Sequence, residues 1–219
     1  MSINPKKALF AEFASVARAI GHPARLEVIE SLAQGERGVE ALASRLNMPI
    51  ANVSQHLQNL RRVGLVACRR EGKFIIYRLV GEEILTMLRS VQRVAECNVA
   101  EVGKIVQQFY SERDDMEPIA RTELLHLMRQ GVVTVLDIRP ADEFAAGHVP
   151  GAVNVQLSEL EYELAALAPS QDIVAYCRGA YCVLSFEAVA KLRKHGFKAW
   201  RLEEGMPEWR AAGLPVEAV

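Results

Sequence analysis

The sequence predicts a multidomain chain, in which a mainly α-helical N-terminal domain with a helix-turn-helix precedes a C-terminal domain of different composition. Apolar residues recur at helical spacing through most of the first half. A short turn, Asn47-Met48-Pro49, separates two of the predicted helices. Residues 1–110 carry 15 Lys and Arg against 10 Asp and Glu, whereas residues 111–219 carry 11 against 17. This asymmetry indicates that only the first half meets a polyanion.

The first half is predicted to form five helices and one β-hairpin. Pro23 suits the first position of a helix, and Gly35 and Gly64 are typical of helix ends. The polar run 69–73 separates two short apolar runs, which favours a hairpin. The predicted helices span residues 8–20, 23–33, 39–46, 50–63 and 82–109, and the predicted strands span residues 65–68 and 74–79.

The helix predicted at 50–63 has the features of a DNA-reading element. Val53, Leu57 and Leu60 form an apolar stripe, and polar residues fall on the rest of the helix. Asn and Gln bind adenine edges through two hydrogen bonds, and long cations on a hairpin tip neutralise phosphates. His56 is expected either to contact a phosphate or to hydrogen-bond within the fold. The predicted DNA-binding residues are Asn52, Ser54, Gln55, His56, Arg69, Arg70 and Lys73.

The second half contains a candidate nucleophile, Cys177. It follows the apolar run 173–176, which predicts a buried strand, and precedes the run 184–192, which has helical periodicity. A cysteine between a strand and a helix N-terminus lies in a ring of backbone N–H groups, which attracts anions and lowers the pKa of a thiol. The alternative interpretation is a buried structural thiol.

Residues 177–183, called the Cys177 loop below, are the predicted anion-binding segment. A phosphatase-type loop, Cys-x5-Arg, needs arginine at position 183, where this chain has valine, so phosphate or arsenate chemistry is disfavoured. Cys182 is a candidate resolving thiol. We expect a structural role for it, because opposite sides of a tight loop rarely satisfy disulfide geometry. The predicted substrate-binding residues are Arg178, Gly179, Ala180, Tyr181, Cys182 and Val183.

Four segments of the first half together resemble the arsenic-repressor (ArsR/SmtB) family of winged-helix transcription factors. They are Gly21–Leu26, Val53–Leu57, Leu60–Val66, and Arg69–Lys73 leading to Tyr77. The resemblance implies a winged helix-turn-helix and a homodimer joined through the first and last helices. It also implies binding to an imperfect palindrome in double-stranded operator DNA, usually as a repressor.

Three parts of the second half resemble a rhodanese (sulfurtransferase) domain. They are residues 133–144 with 147–154, the Cys177 loop, and residues 205–209 with 213–216. The resemblance implies an α/β domain with a mainly parallel central sheet. It also implies that Cys177 accepts sulfane sulfur as a persulfide from a small donor such as thiosulfate or a low-molecular-weight persulfide. Asp137 and Arg139 are expected to tie a strand end to neighbouring loops.

The remaining cysteines, Cys68 and Cys97, are the candidate effector-sensing residues. The third helix lacks the Cys-x-Cys pair of metal-sensing relatives, and residues 82–109 contain no His and no Asp, so the ordinary metal sites are absent and no metal or cofactor is predicted. A cross-subunit metal site using Cys68 and Cys97 is the alternative. Cys97 matches the last-helix cysteine of relatives that sense reactive sulfur, but the usual second-helix partner is missing. Cys68 is the candidate substitute. The alternative is that Cys68 and Cys97 are small buried apolar residues.

The predicted domains are residues 1–110 and 119–219, joined by a polar linker at 111–118. The sequence has no recognisable secretory signal and no apolar stretch of membrane-spanning length, and its four cysteines lack a framework spacing. We therefore expect a cytoplasmic protein without a membrane partner. Three functions compete: a sulfur-responsive repressor, a sulfurtransferase that uses the winged helix mainly to dimerise, and a thiolate-based metalloregulator.

Overall fold

A computed structural model describes residues 4–108, 118–164 and 171–219 of the chain. The chain divides into two units, Met1–Val91 and Gln92–Val219. Apart from Pro118, the predicted linker lies outside the described residues, so the predicted domain boundaries stay predictions. Among the described residues, no helix combines the length and the apolar composition needed to cross a membrane.

The first unit is mainly α-helical and has a small antiparallel sheet in strand order β1-β3-β2. Its last helix, α5, extends beyond the boundary between the units. This order of elements is the predicted winged helix-turn-helix. The elements are α1 (Pro5–Ile20), α2 (Pro23–Ala33), β1 (Arg37–Gly38), α3 (Val39–Arg45), α4 (Ile50–Arg62), β2 (Val66–Glu71), β3 (Phe74–Leu79) and α5 (Glu83–Asn98).

Local chemistry sets the ends of these helices. His22 caps α2, since its Nδ1 accepts a hydrogen bond from the N–H of Ala24 at 3.2 Å, and Pro23 occupies the first helical position. Between α3 and α4, Asn47 adopts a φ of 50°, a left-handed conformation that Asn tolerates better than most residues. Gly64 has a φ of 77° and ends the turn after α4. These turns place α4 across α2 and α3 as the second helix of the helix-turn-helix.

The predicted apolar stripe of α4 is the part of this helix that enters the core. Val53, Leu57 and Leu60 are all fully buried, in one cluster with Val28 and Ile29 of α2. Truncating such a leucine to alanine costs about 2–5 kcal/mol. The core therefore fixes which face of α4 remains outside.

The hairpin is longer than the sequence predicts. β2 continues to Glu71, which pairs with Phe74, so that only Gly72 and Lys73 remain in the turn. Gly72 has a φ of 59°, which suits a two-residue hairpin turn. The prediction that Arg69 and Arg70 lie in the hairpin tip was wrong, because both residues pair with apolar β-branched residues of β3 and continue the ladder.

The predicted continuous helix at 82–109 is interrupted. Helix α5 ends at Asn98, Val99 is extended with φ −108° and ψ 103°, and α6 covers Ala100–Val106. The side-chain amide of Asn98 donates to the carbonyl of Val94 at 2.8 Å. Such a local bond offers the backbone an alternative to the helical ladder, and a β-branched residue follows at once. Residue 109 lies outside the described residues.

The second unit contains a four-stranded sheet in the order β5-β4-β6-β7, in which all neighbouring strands are parallel. This confirms the predicted α/β class with its parallel sheet. The further elements are α7 (Arg121–Gln130), β4 (Val133–Asp137), α8 (Ala141–Ala145), β5 (Val153–Asn154), α9 (Leu160–Glu163), β6 (Asp172–Tyr176), α10 (Val183–Lys194), β7 (Ala199–Arg201) and α11 (Met206–Ala211).

Both faces of this sheet are covered by helices. Leu136 of β4 packs in a cluster with Leu192 of α10, whereas Val135 packs on the opposite face in a cluster with Trp209 of α11. A parallel strand buried on both faces needs a continuous apolar run, which explains the composition of residues 173–176. Because β4 and β6 are parallel, the loops that follow both strands open at the same edge of the sheet. Ligands of open α/β sheets bind at this edge.

Candidate functional sites

Cys177 lies at the carboxyl end of β6 and is only 2% exposed. The twelve-residue helix α10 begins at Val183, with Cys182 in the capping position before it. The N–H of Met206 donates to the carbonyl oxygen of Cys177 at 3.2 Å, so the start of α11 holds the first peptide of the loop. This is the predicted strand-loop-helix arrangement, in which a thiolate lies near the positive end of a helix dipole.

The structure pairs Cys177 with Cys182 as a disulfide. Their Cα atoms lie 6.2 Å apart, which is within the ordinary range for disulfides. The N–H of Cys182 donates to the carbonyl of Gly179 at 3.1 Å and turns the loop back on itself. The Cα separation therefore allows the two cysteines to pair, and the structural role expected for Cys182 stays a prediction. In this state the N–H of Cys182 is engaged in the turn rather than directed at an anion.

The charge of Arg178 is balanced by a residue that the sequence analysis did not single out. The Nε of Arg178 donates to the Oε1 of Glu143 at 3.0 Å, and its Nη2 lies 2.9 Å from the same oxygen. Glu143 belongs to α8 and is fully buried. Arg178 thus anchors the loop to α8 instead of presenting an unbalanced cation to a donor. Of the remaining predicted loop residues, Gly179 and Tyr181 are partly buried, whereas Ala180 and Val183 are exposed.

A buried polar network supports the two strand ends beside the loop. The hydroxyl of Tyr176 donates to Asp137 at 2.5 Å and accepts from the N–H of Val149 at 3.1 Å. The Nη2 of Arg139 donates to Asp137 at 2.6 Å and to the carbonyl of Gly147 at 2.8 Å. Burial, followed by the charge of Asp137, raises the pKa of Tyr176 well above its usual value, so the phenol stays protonated. The expected tie between Asp137, Arg139 and a neighbouring loop is confirmed. The sequence analysis did not predict Tyr176 as a site residue, because it is simply the last residue of the apolar run that predicts a strand.

The backbone of Gly205 lies against the Cys177 loop. A Cβ built on Gly205 would overlap the carbonyl carbon of Arg178 and the amide nitrogen of Gly179. The φ of Gly205 is −115°, which any residue can adopt, so the requirement for glycine is steric. Residues 205–209 belong to a segment that resembles a rhodanese domain. This contact gives a physical reason why the first residue of that segment is glycine.

We expect Gly205→Ala to lower the free energy of unfolding by about 1–3 kcal/mol, because the added methyl group must displace backbone rather than a flexible side chain. Thermal unfolding of the reduced protein measures this effect. Gly103→Ala is the matched control, since a Cβ at Gly103 meets no atom within 4 Å. Equal melting temperatures for the two variants would contradict the steric assignment.

On α4, the predicted base-reading residues lie away from the buried stripe. Asn52 and Gln55 are exposed, and Ser54 is half-buried. Their side chains carry the donors and acceptors that adenine edges and phosphates bind. The residues of α4 that were predicted to contact bases therefore lie outside the buried stripe.

The hairpin formed by β2 and β3 is called the wing below. Its three predicted DNA-binding cations are all exposed but differ in their surroundings. Arg69 lies 2.9 Å from Glu36 and also contacts Glu71, and these hydrogen bonds, that of Glu71 first, raise its pKa. Arg70 donates to a backbone carbonyl in the turn at 3.0 Å, and Lys73 lies over an aromatic ring at 5.2 Å. Because Arg69 is already paired with carboxylates, Arg70 and Lys73 are the better candidates for phosphate contacts.

His56 faces His22 rather than solvent. Their ring centroids lie 4.8 Å apart, and within the described residues the Nδ1 of His56 has no hydrogen-bond partner. Burial, followed by the charges of His22 and Arg25, lowers the pKa of His56. In the absence of DNA these neighbours therefore favour the neutral form of the His56 imidazole.

The structure leaves the two candidate sensor cysteines as free thiols. Cys68, in β2, is half-buried opposite Tyr77, and burial, followed by Cys68, raises the pKa of Tyr77. Cys97, near the end of α5, is exposed in the single chain, and its role as a sensor stays a prediction. In the described part of the chain, no group of three or more His, Cys, Asp or Glu residues is arranged to hold a metal ion.

Two family models match the chain. A helix-turn-helix domain matches residues 20–69, and a rhodanese-like domain matches residues 120–212. The second match encloses the Cys177 loop and Gly205, and the first encloses α4 and the start of the wing.

Among known proteins, the HTH-type transcriptional regulator Rv0324 of Mycobacterium tuberculosis is 44% identical over 212 residues, which cover 97% of this chain and 93% of that protein. A sulfurtransferase of Allochromatium vinosum is 30% identical over 87 residues, covering 39% of this chain and 79% of that protein. Among solved structures, the homodimeric winged helix-turn-helix DNA-binding domain Mb0332 of Mycobacterium bovis is 38% identical, covers 45% of this chain and 92% of its own, and has a TM-score of 0.42.

Proposed function

Since the chain belongs to the family of HTH-type transcriptional regulators and carries a rhodanese-like domain, we propose that it is a homodimeric repressor that responds to reactive sulfur. In this proposal the winged helix-turn-helix binds a palindromic operator. Cys177 accepts sulfane sulfur from thiosulfate or a low-molecular-weight persulfide. The observation that carries the sulfur chemistry is the position of Cys177 between a buried strand and the N-terminus of α10.

Two features of the first unit support operator binding. The outer face of α4 presents Asn52 and Gln55, and the wing places Arg70 and Lys73 on the solvent side. The first pair suits base edges and the second pair suits phosphates, which together provide both specificity and affinity.

We expect Gln55→Ala to cost about 1–3 kcal/mol of operator binding and to relax the sequence preference, if Gln55 contacts a base. Arg70→Ala and Lys73→Ala should instead weaken binding to all duplexes and flatten the salt slope by about one unit each. Fluorescence anisotropy with operator and scrambled duplex at several salt concentrations separates these effects. Arg129→Ala, at an exposed arginine of α7, removes one charge from the second unit and is the matched control. If wild type binds both duplexes equally, the specific-repressor proposal fails.

The apolar outer face of α1 supports the homodimer. Leu9, Phe10 and Phe13 are 56%, 60% and 61% exposed in the single chain. Large apolar side chains clustered on one helix are typical of a protein interface. A second copy of the chain suits this face, because a palindromic operator requires two symmetrically placed recognition helices.

The regulatory step is tested by operator affinity before and after treatment with a persulfide donor. The usual coupling of 1–3 kcal/mol predicts that affinity falls by about 5–150-fold. Loss of the response in Cys177→Ser alone supports sensing at the Cys177 loop. Its loss in both Cys177→Ser and Cys97→Ser supports relay of sulfur to α5, and Cys68→Ser tests the substitute partner in the same way. No response in wild type, with a persulfide at Cys177 confirmed by mass, would refute the coupling.

A second candidate function is sulfur transfer with the winged helix used mainly for dimerisation. The similarity of the second unit to a sulfurtransferase favours this candidate. Turnover without specific DNA binding would establish it over the first proposal.

A further inference from the structure

We propose that Cys182 is a resolving thiol, which attacks a persulfide on Cys177, releases hydrosulfide and leaves the Cys177–Cys182 disulfide. This inference rests on the proposed function, in which Cys177 accepts sulfane sulfur. It adds a second participating residue and a defined end point for the loaded state.

The first supporting observation is the pairing itself. The five-residue separation and the turn closed by the Cys182 N–H bring the two cysteines together with a Cα–Cα distance of 6.2 Å. No rearrangement of secondary structure is needed to form this bond, because both residues lie at fixed ends of regular elements, β6 and α10. A thiol at this position is therefore within reach of any sulfur carried on Cys177.

The second observation is the difference in environment between the two cysteines. Cys177 is almost completely buried, whereas Cys182 is half-buried. Cys182 also precedes the first turn of α10, where the helix dipole favours a thiolate. The buried residue is suited to hold the sulfane sulfur away from solvent. The more accessible residue is suited to attack it, and afterwards to be attacked by an external reductant.

The chemistry balances without an added oxidant. In the loading step, the Cys177 thiolate attacks the outer sulfur of thiosulfate, an S–S bond forms, and sulfite leaves. In the discharge step, the Cys182 thiolate attacks the Sγ of Cys177, the bond to the sulfane sulfur breaks, and that sulfur leaves as hydrosulfide. The sulfane sulfur gains two electrons, and the two cysteine sulfurs together lose two. A dithiol reductant then restores both thiols through a mixed disulfide.

This step limits how long the protein stays loaded. An acceptor thiol must capture the sulfur before Cys182 discharges it, and the resulting disulfide accepts no further sulfur until it is reduced. Because Cys182 is held beside Cys177, its effective concentration exceeds that of ordinary small thiols, and we expect discharge to be about a hundredfold faster than in its absence. The loop would then release hydrosulfide as a product in its own right.

The test uses the full-length protein, reduced and desalted under anaerobic conditions. It is treated with one equivalent of thiosulfate, desalted again, and followed without an acceptor by intact mass and by hydrosulfide released. We expect wild type to gain the mass of one sulfur atom and then to lose it. Its final mass should be two hydrogens below that of the reduced chain, with one hydrosulfide released per chain. In Cys182→Ser the added sulfur should persist about a hundredfold longer. Serine is a good helix cap, so this variant keeps the start of α10, and Cys182→Ala is a second variant.

The controls separate this inference from the function on which it rests. Reduced wild type without thiosulfate must stay reduced, which excludes adventitious oxidation. Cys68→Ser and Cys97→Ser should behave as wild type. A wild-type persulfide as stable as that of Cys182→Ser would overturn the resolving role while leaving sulfur acceptance intact. Failure of both wild type and Cys182→Ser to take up sulfur would overturn sulfur acceptance, and the resolving role with it.

Discussion

Replacing Cys177 by serine is expected to abolish sulfur transfer from thiosulfate to cyanide or glutathione. The proposed attacking group is the Cys177 thiolate, which follows β6 and precedes α10, and a serine hydroxyl is neither ionised nor a sulfur carrier at neutral pH. Loss of a nucleophile that forms a covalent intermediate lowers turnover by about 10³-fold or more. The measurement is thiocyanate formation by the reduced protein, with thiosulfate and cyanide both in excess.

Cys182→Ser is the matched control for this experiment, because it removes the other thiol of the same loop. It should turn over at least as fast as wild type when cyanide is in excess, since transfer to an abundant acceptor does not require a resolving thiol and the variant cannot form the inactive disulfide. Undiminished turnover in Cys177→Ser would exclude Cys177 as the nucleophile. Loss of turnover in both variants would assign transfer to the pair rather than to one residue.

The second large effect is expected at the outer face of α1, where Phe13→Asp should dissociate the proposed dimer and weaken operator binding. Burying a phenylalanine contributes about 1.5–3 kcal/mol, and a two-fold symmetric interface contains the residue twice. The loss of about 3–6 kcal/mol corresponds to a roughly 10²–10⁴-fold weaker dimer. Because the proposed palindromic operator is bound by both recognition helices together, operator affinity should fall with it. Analytical ultracentrifugation and anisotropy on the same samples measure the two effects.

Tyr162→Asp provides the control, since it also places a carboxylate at an exposed aromatic position. Tyr162 is 86% exposed on α9 of the second unit. This variant should keep the wild-type oligomeric state and operator affinity. If Phe13→Asp sediments as wild type does, the dimer forms elsewhere and the proposed role of α1 is wrong.

The sequence predicts most elements of the first unit because their signals are local. The stripe of Val53, Leu57 and Leu60 is a property of spacing alone, and the structure buries all three residues. Pro23 and Gly64 mark helix ends through their own backbone restrictions. The predictions failed where neighbouring strands or side chains decide: cross-strand pairing extends β2 to Glu71, and the Asn98 side chain accompanies the break before α6.

The same distinction between local signals and contacts made in the folded chain applies to the candidate site in the second unit. The position of Cys177 between a buried strand and a helix is predicted from spacing, because the periodicity changes from continuous apolar to helical across seven residues. The contacts around it emerge from the folded chain: Glu143 balances Arg178, Gly205 presses on the loop, and Cys182 pairs with Cys177. These three facts depend on the backbone path between elements distant in sequence, or on how a short loop closes. Hydrophobic spacing specifies which face of an element is buried, but not which polar partners meet at the edge of the sheet.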